Sequence, residues 1–89
     1  MNDAWSAMSD VNRRRILTLL KERDMNAGEI ADCFELSKAT ISHHLNILKE
    51  AGLIVGDKRA QTITYRLNTT VFQDFLKGVA AFMDKGEEK

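Results

Sequence analysis

Residues 36–54 read LSKATISHHLNILKEAGLI. Ser37 is a good N-cap, because its side-chain oxygen can accept a hydrogen bond from a backbone N–H of the first turn. Gly52 suits the left-handed residue that follows a helix C-terminus. Between them Ile41, Leu45 and Leu48 recur at helical spacing and form one apolar seam. The opposite face therefore carries Ala39, Ser42, His43 and Asn46, at i, i+3, i+4 and i+7. That face is small and polar. It also places both histidines of the chain side by side on one helix, and a metal site, a catalytic pair and a surface that reads something are the competing explanations.

Upstream, Asn26 followed by Glu29 makes a capping-box pattern. It opens a helix through Phe34, with Ile30, Ala31 and Phe34 on one face. Only the turn ELS separates that helix from Ser37, so the two helices are expected to pack at a steep angle. Earlier still, Ser9 offers an N-cap for SDVNRRRILTLLKERD, in which Val11, Ile16, Leu19 and Leu20 fall at helical spacing and Asp24 closes the run. Ala4, Trp5 and Met8 mark a short amphipathic helix before it. Downstream, Leu53–Val55 and Thr62–Leu67 are β-branched, aromatic or alternating, with a charged connection between them, which predicts a β-hairpin. A long last helix then carries Phe72, Phe75, Leu76, Val79, Phe82 and Met83 at i, i+3, i+4, i+7, i+10 and i+11. Six large apolar residues, with Trp5 and Met8, exceed what one small domain usually hides, so this face is expected to pack against a second subunit.

The 89 residues contain no proline, repeat or low-complexity linker, so residues 1–89 are read as a single domain. With 44% hydrophobic and 29% charged residues the chain is too apolar to be disordered. It has no apolar run of the roughly 18 residues that would span a bilayer, and MNDAWSAMSD has no secretory pattern. The cytosol is the expected location. The single cysteine, Cys33, excludes an intramolecular disulfide and a CxxC pair; it is read as a small buried hydrophobe. Formal net charge is zero, but it is unevenly spread. Residues 1–36 carry five Lys or Arg against seven acids, residues 37–66 five against two, and residues 67–89 three against four. The positive excess sits on the opening segment and the hairpin, where it can meet a polyanion.

Helix, helix, turn, helix, hairpin, helix is the order of a winged helix-turn-helix: mainly α, about five helices with a two-stranded wing. In that frame Ser42, His43 and Asn46 exchange hydrogen bonds with base edges and Ala39 touches a thymine methyl. Ser37, Lys38 and Thr40 sit in the first turn, where phosphates meet helix N-termini. Lys58 and Arg59 at the hairpin tip lie over the backbone or the minor groove. His44, three residues after Ile41, lies at the edge of the seam and is read as a support through a hydrogen bond to backbone or phosphate. Arg13, Arg14 and Arg15 are either a solvated face with one residue turned inward or further phosphate contacts. Adjacent histidines diverge by about 100° on a helix and cannot act on one atom together. No enzyme and no cofactor is expected, and neither a histidine pair at i, i+4 nor a cysteine pair is present to hold zinc.

The pieces SDVNRRRIL, GEIADCFELSKATISHHLNILKEAGLI and ITYRLN resemble, in order and spacing, the ArsR/SmtB family of bacterial winged-helix repressors, and the likeness covers nearly the whole chain. It extends through LNTTVFQDF to the small autorepressors of the SdpR type. The resemblance implies a homodimeric repressor of its own operon on an inverted-repeat site in double-stranded DNA. Its dimer surface is drawn from Trp5, Met8, Phe72, Phe75, Leu76, Val79, Phe82 and Met83. It also implies release by capture on a membrane-bound immunity-type protein, with no small-molecule substrate. Neither metal site of the family can be assembled, because Cys33 is alone and the last helix has no histidine. Where the family has Gly in the wing turn this chain has Ala60, which cannot take a positive φ cheaply. The runner-up is a winged-helix module that binds protein rather than DNA.

Overall fold

Asp10, rather than Ser9, starts the first long helix. Its carboxylate accepts from the backbone N–H groups of Asn12 at 2.8 Å and Arg13 at 3.2 Å, while the Ser9 hydroxyl donates to the Ser6 carbonyl oxygen at 2.6 Å. The computed structural model describes residues 3–87; Met1, Asn2, Glu88 and Lys89 of the expected 1–89 domain lie outside them. Its elements run α1 (Ala4–Ala7), α2 (Val11–Glu22), β1 (Met25–Asn26), α3 (Ala27–Ala31), α4 (Lys38–Glu50), β2 (Ile54–Arg59), β3 (Thr62–Leu67) and α5 (Thr69–Glu87). This is the architecture expected of a winged helix-turn-helix, with one strand more than anticipated.

The later start of α2 moves its inward face. Val11 is exposed and Leu17 is buried beside Ile16 and Leu20, because a cap at Asp10 makes Val11 the first residue of the helix and turns it to solvent. The helix ends at Glu22 with Arg23 as C-cap, ahead of the expected Asp24. The Asn26–Glu29 capping box forms in both directions, at 2.8 and 2.9 Å. α3 stops at Ala31 and not at Phe34. The N–H groups of Cys33 and Phe34 donate to the carbonyl oxygens of Ile30 and Ala31, each at 3.0 Å, so the last turn tightens to three-residue spacing. That tightening swings Cys33 outward. Its thiol is exposed rather than buried and donates to the Glu29 carbonyl oxygen at 3.5 Å.

α4 follows the expected seam, with Ile41, Leu45 and Leu48 all buried. Its end is a Schellman motif: Gly52 has φ +81°, its N–H donates to the Lys49 carbonyl oxygen, and the Leu53 N–H reaches back to Leu48. Leu48 and Leu53, joined by that last bond, are both fully buried, which fixes the angle at which the chain enters the sheet.

The sheet is antiparallel in the order β1-β3-β2. β1 pairs Met25 with Tyr65 and Asn26 with Thr64. Two residues are too few to show alternation, so this strand has no signature of its own. β2 and β3 pair from Ile54 with Leu67 to Arg59 with Thr62. The charged residues expected to form the connection are thus strand, and only Ala60 and Gln61 turn the corner. Ala60 has φ +55°, and Gln61 is not left-handed, the φ pattern of a type II′ hairpin turn with alanine in the glycine position. The core gathers Ala7, Ile16, Leu17, Leu20, Met25, Ile30, Ile41, Leu45, Leu48, Leu53, Ile54 and Tyr65 from all parts except α5, which contributes only Val71 and Phe72 at its margin. A helix of 19 residues is about 28 Å long, and the chain with α5 included has extents of 52 × 26 × 24 Å.

Candidate nucleic-acid interface

The Ser37 side chain accepts from the Thr40 N–H at 3.1 Å and shares a hydrogen bond with the Thr40 hydroxyl at 2.9 Å. These two residues therefore close the helix N-terminus on each other, and Thr40 is half-buried. Lys38 and Ala39, in the first turn of α4, are exposed. Ser42, His43 and Asn46 are exposed as well. With Ala39 they form one ridge, backed by the buried Ile41, His44, Leu45 and Leu48.

The two histidines part company. Their ring centroids are 6.0 Å apart with planes at 47°; His43 faces solvent and His44 is 7% exposed. Within the chain His44 finds a side-chain partner. Its Nδ1 lies 3.2 Å from a guanidinium nitrogen of Arg13. Burial pushes the His44 imidazole below its ordinary range, the charges of Arg13 and His43 act the same way, and Asp10 opposes them. Partial burial alone would raise the Asp10 carboxyl, but the N–H groups of Arg13 and Asn12 and the charges of His44 and Arg13 hold it below the usual value.

The arginine run divides into three roles. Arg13 turns inward; Arg14 donates to the Met8 carbonyl oxygen at 2.7 Å; Arg15 stacks over the Phe34 ring at 4.4 Å. All three tie α2 to its neighbours. Lys58 and Arg59 are exposed at the end of β2. Between this wing and α4 runs an open groove of about 470 Å³, lined by Asn26, Ala27, Gly28, Ser42, Gln61, Thr62, Ile63 and Tyr65. Its donors are neutral. Gln61 and Thr62 carry no signal of this role in the sequence, because their proximity to Ser42 depends on the two-residue turn, and the one local sign of that turn is the unusual Ala60. Among the described residues no group of three or more His, Cys, Asp or Glu gathers to hold a metal ion.

The residues named for subunit contact fall into three environments. Met8 and Phe72 pack partly against the chain's own core. Phe75 and Val79 are half-buried, and the Phe75 ring meets Trp5 edge-on at 5.1 Å. Trp5, Leu76, Phe82 and Met83 are exposed.

Residues 10–55, which span α2 through the start of β2, match the family described as bacterial regulatory protein, arsR family. The chain belongs to that family. It is 52% identical over 87 residues to a protein of Bacillus subtilis (strain 168) named transcriptional repressor SdpR, covering 98% of this chain and 97% of that one. It is 38% identical over 64 residues to the transcriptional activator HlyU of Vibrio cholerae, covering 72% of this chain and 59% of that one. Among solved structures, an ArsR-like transcriptional regulator from Rhodococcus sp. RHA1 superposes with a TM-score of 0.83 at 28% identity, over 93% of this chain and 76% of the other. Among the described residues no helix is long and apolar enough to cross a membrane.

Proposed function

We propose that the chain is a cytosolic transcriptional repressor that binds an inverted-repeat operator in double-stranded DNA as a homodimer and regulates its own operon. The observation that carries this reading is the solvent-facing ridge of Ala39, Ser42, His43 and Asn46, rigidly backed by a buried seam on the second helix of a helix-turn-helix. In the major groove Asn46 pairs with adenine, Ser42 and His43 with further base edges, and Ala39 with a thymine methyl. Ser37 and Lys38 hold the phosphate backbone and the Ser37–Thr40 bond keeps the first turn in shape. Lys58 and Arg59 meet the backbone beside the minor groove. The groove between wing and α4 then takes the sugar–phosphate strand that divides the two grooves of the duplex.

The chain's ends make the dimer. Trp5, Leu76, Phe82 and Met83 are 60%, 46%, 71% and 58% exposed, and a second copy of α5 covers them. Two recognition helices about 34 Å apart then read half-sites one turn apart. Residues 1–89 act as one domain. Repression is lifted by capture on a membrane-bound immunity-type protein, a reading supported by the likeness to the SdpR type; a pull-down from membranes that recovers no partner contradicts it.

A gel shift with DNA from upstream of the chain's own coding region, against the same DNA scrambled, tests the reading. Preferential binding of the upstream DNA is expected, and equal or absent binding favours a protein-interaction module instead. In the same assay Arg59→Ala lowers the slope of log K against log salt by about one for each phosphate that the side chain neutralises on each subunit.

A further inference from the structure

Arg13 takes no part in the reading ridge, yet its guanidinium lies where three helices meet. Nε donates to the Ala7 carbonyl oxygen at 2.8 Å and one terminal nitrogen reaches the Ser6 carbonyl oxygen at 3.3 Å. Both carbonyls lie at the end of α1, where the Ser6 oxygen also accepts from the Ser9 N–H at 3.1 Å and the Ser9 hydroxyl at 2.6 Å. The other terminal nitrogen lies 3.2 Å from Nδ1 of His44 on α4. A guanidinium has only N–H groups to offer, so Nδ1 must be the acceptor and the ring proton must sit on Nε2. α1 also carries Trp5, whose ring meets Phe75 of α5 at 5.1 Å. A continuous series of contacts therefore runs from α5 through Trp5 and the end of α1 to Arg13, and from Arg13 to the back of the recognition helix.

We propose that Arg13 is a positioning residue that sets the angle of α4 through His44, and that a proton taken up at His44 Nδ1 breaks this link and weakens DNA binding. The proposal rests on the DNA-binding reading above. A protonated imidazole has two donors and no acceptor, so it turns an N–H toward the Arg13 N–H groups and places two cations in contact. The charged groups facing His44 are Asp10 and Arg13 from α2 and His43 from α4 itself. α1 brings Asp3, whose carboxylate is engaged with the Ser6 N–H at 2.8 Å. Arg13 opposes the extra proton and Asp10 favours it. His43 itself lies on the solvent face of the ridge.

The test is operator affinity of the full-length protein from about pH 8 down to about pH 5, because burial holds the His44 imidazole below the ordinary histidine range. Wild-type affinity falls with acid, with up to about two protons taken up per dimer released. His44→Asn keeps an acceptor oxygen near the position of Nδ1 and does not titrate, so its affinity stays level across the range. His43→Asn binds more weakly at every pH but keeps the acid loss. Arg13→Lys retains the charge without the planar fork, and lowers affinity about tenfold at pH 8 while leaving the dimer in place. Wild-type protein without an acid loss, or His44→Asn with an undiminished one, overturns the proposal. The ¹⁵N resonances of His44 decide it independently of any variant: a bare Nδ1 is required, and a protonated Nδ1 at pH 8 refutes the link. If the protein binds no DNA at any pH, the functional reading fails, while the tautomer still reports on the Arg13–His44 contact.

Discussion

In α4, Ile41, Leu45 and Leu48 are at most 1% exposed, His44 is buried beside them, and Ala39, Ser42, His43 and Asn46 lie opposite. In α5, Leu76, Phe82 and Met83 stand between 46% and 71% exposed on a helix that packs against the core only through Val71 and Phe72, with Phe75 resting on Trp5. The first helix is completed within one chain, by α2, α3 and the sheet. The second is left incomplete, since burying a large apolar side chain contributes roughly 1.5–3 kcal/mol that α5 does not collect from its own domain. The same physical rule thus gives one helix completed within the chain and one that leaves large apolar side chains uncovered.

Truncating the self-completed side has the largest effect. Leu45→Ala leaves a cavity under the recognition helix and lowers unfolding free energy by about 2–5 kcal/mol, measured by urea denaturation. Phe82→Glu attacks the other side. It shifts the sedimenting species from dimer to monomer and lowers affinity for a two-half-site operator about a hundredfold or more, while helical content of the reading head is kept. If Phe82→Glu lowered stability and left the assembly intact, α5 would belong with α4 among the elements completed within one chain.

Two smaller effects sharpen the comparison within the wing. Ala60→Gly removes the cost of a left-handed alanine, about 1–2 kcal/mol, against a smaller loss from greater freedom of the unfolded chain. A rise of roughly 0.5–1 kcal/mol in stability is expected, and a fall would show that the turn is held by something other than its φ. Arg66 and Asp57, 3.1 Å apart and both half-exposed, are expected to contribute under about 1 kcal/mol, so Arg66→Ala scarcely moves the denaturation midpoint.

The difference between the regions also explains what could be read from the residues alone. The seam of α4, the Ser37 cap, the Gly52 terminator and the Asn26–Glu29 box are local patterns, each specified within a few residues, and all of them appear in the structure. Features that depend on distant partners are not legible in this way. β1 exists because Tyr65 and Thr64 present an edge to Met25 and Asn26. His44 is buried because Arg13, 31 positions earlier, reaches it. Cys33 is exposed because α3 tightens one turn early, a choice between four-residue and three-residue hydrogen bonds that composition does not reveal. The start of α2 differs by one residue from the expected one because Ser9 and Asp10 are both good caps, and the carboxylate, accepting two N–H groups, prevails.

The central claim is that the α4 ridge reads bases rather than merely touching DNA. Measuring Asn46→Ala against wild type on upstream operator DNA and on scrambled DNA, at one fixed salt concentration, tests it most directly. The expected result is a loss of about 1–3 kcal/mol on the operator with scrambled DNA unaffected; an equal loss on both would show that Asn46 contacts only the backbone and would contradict the account.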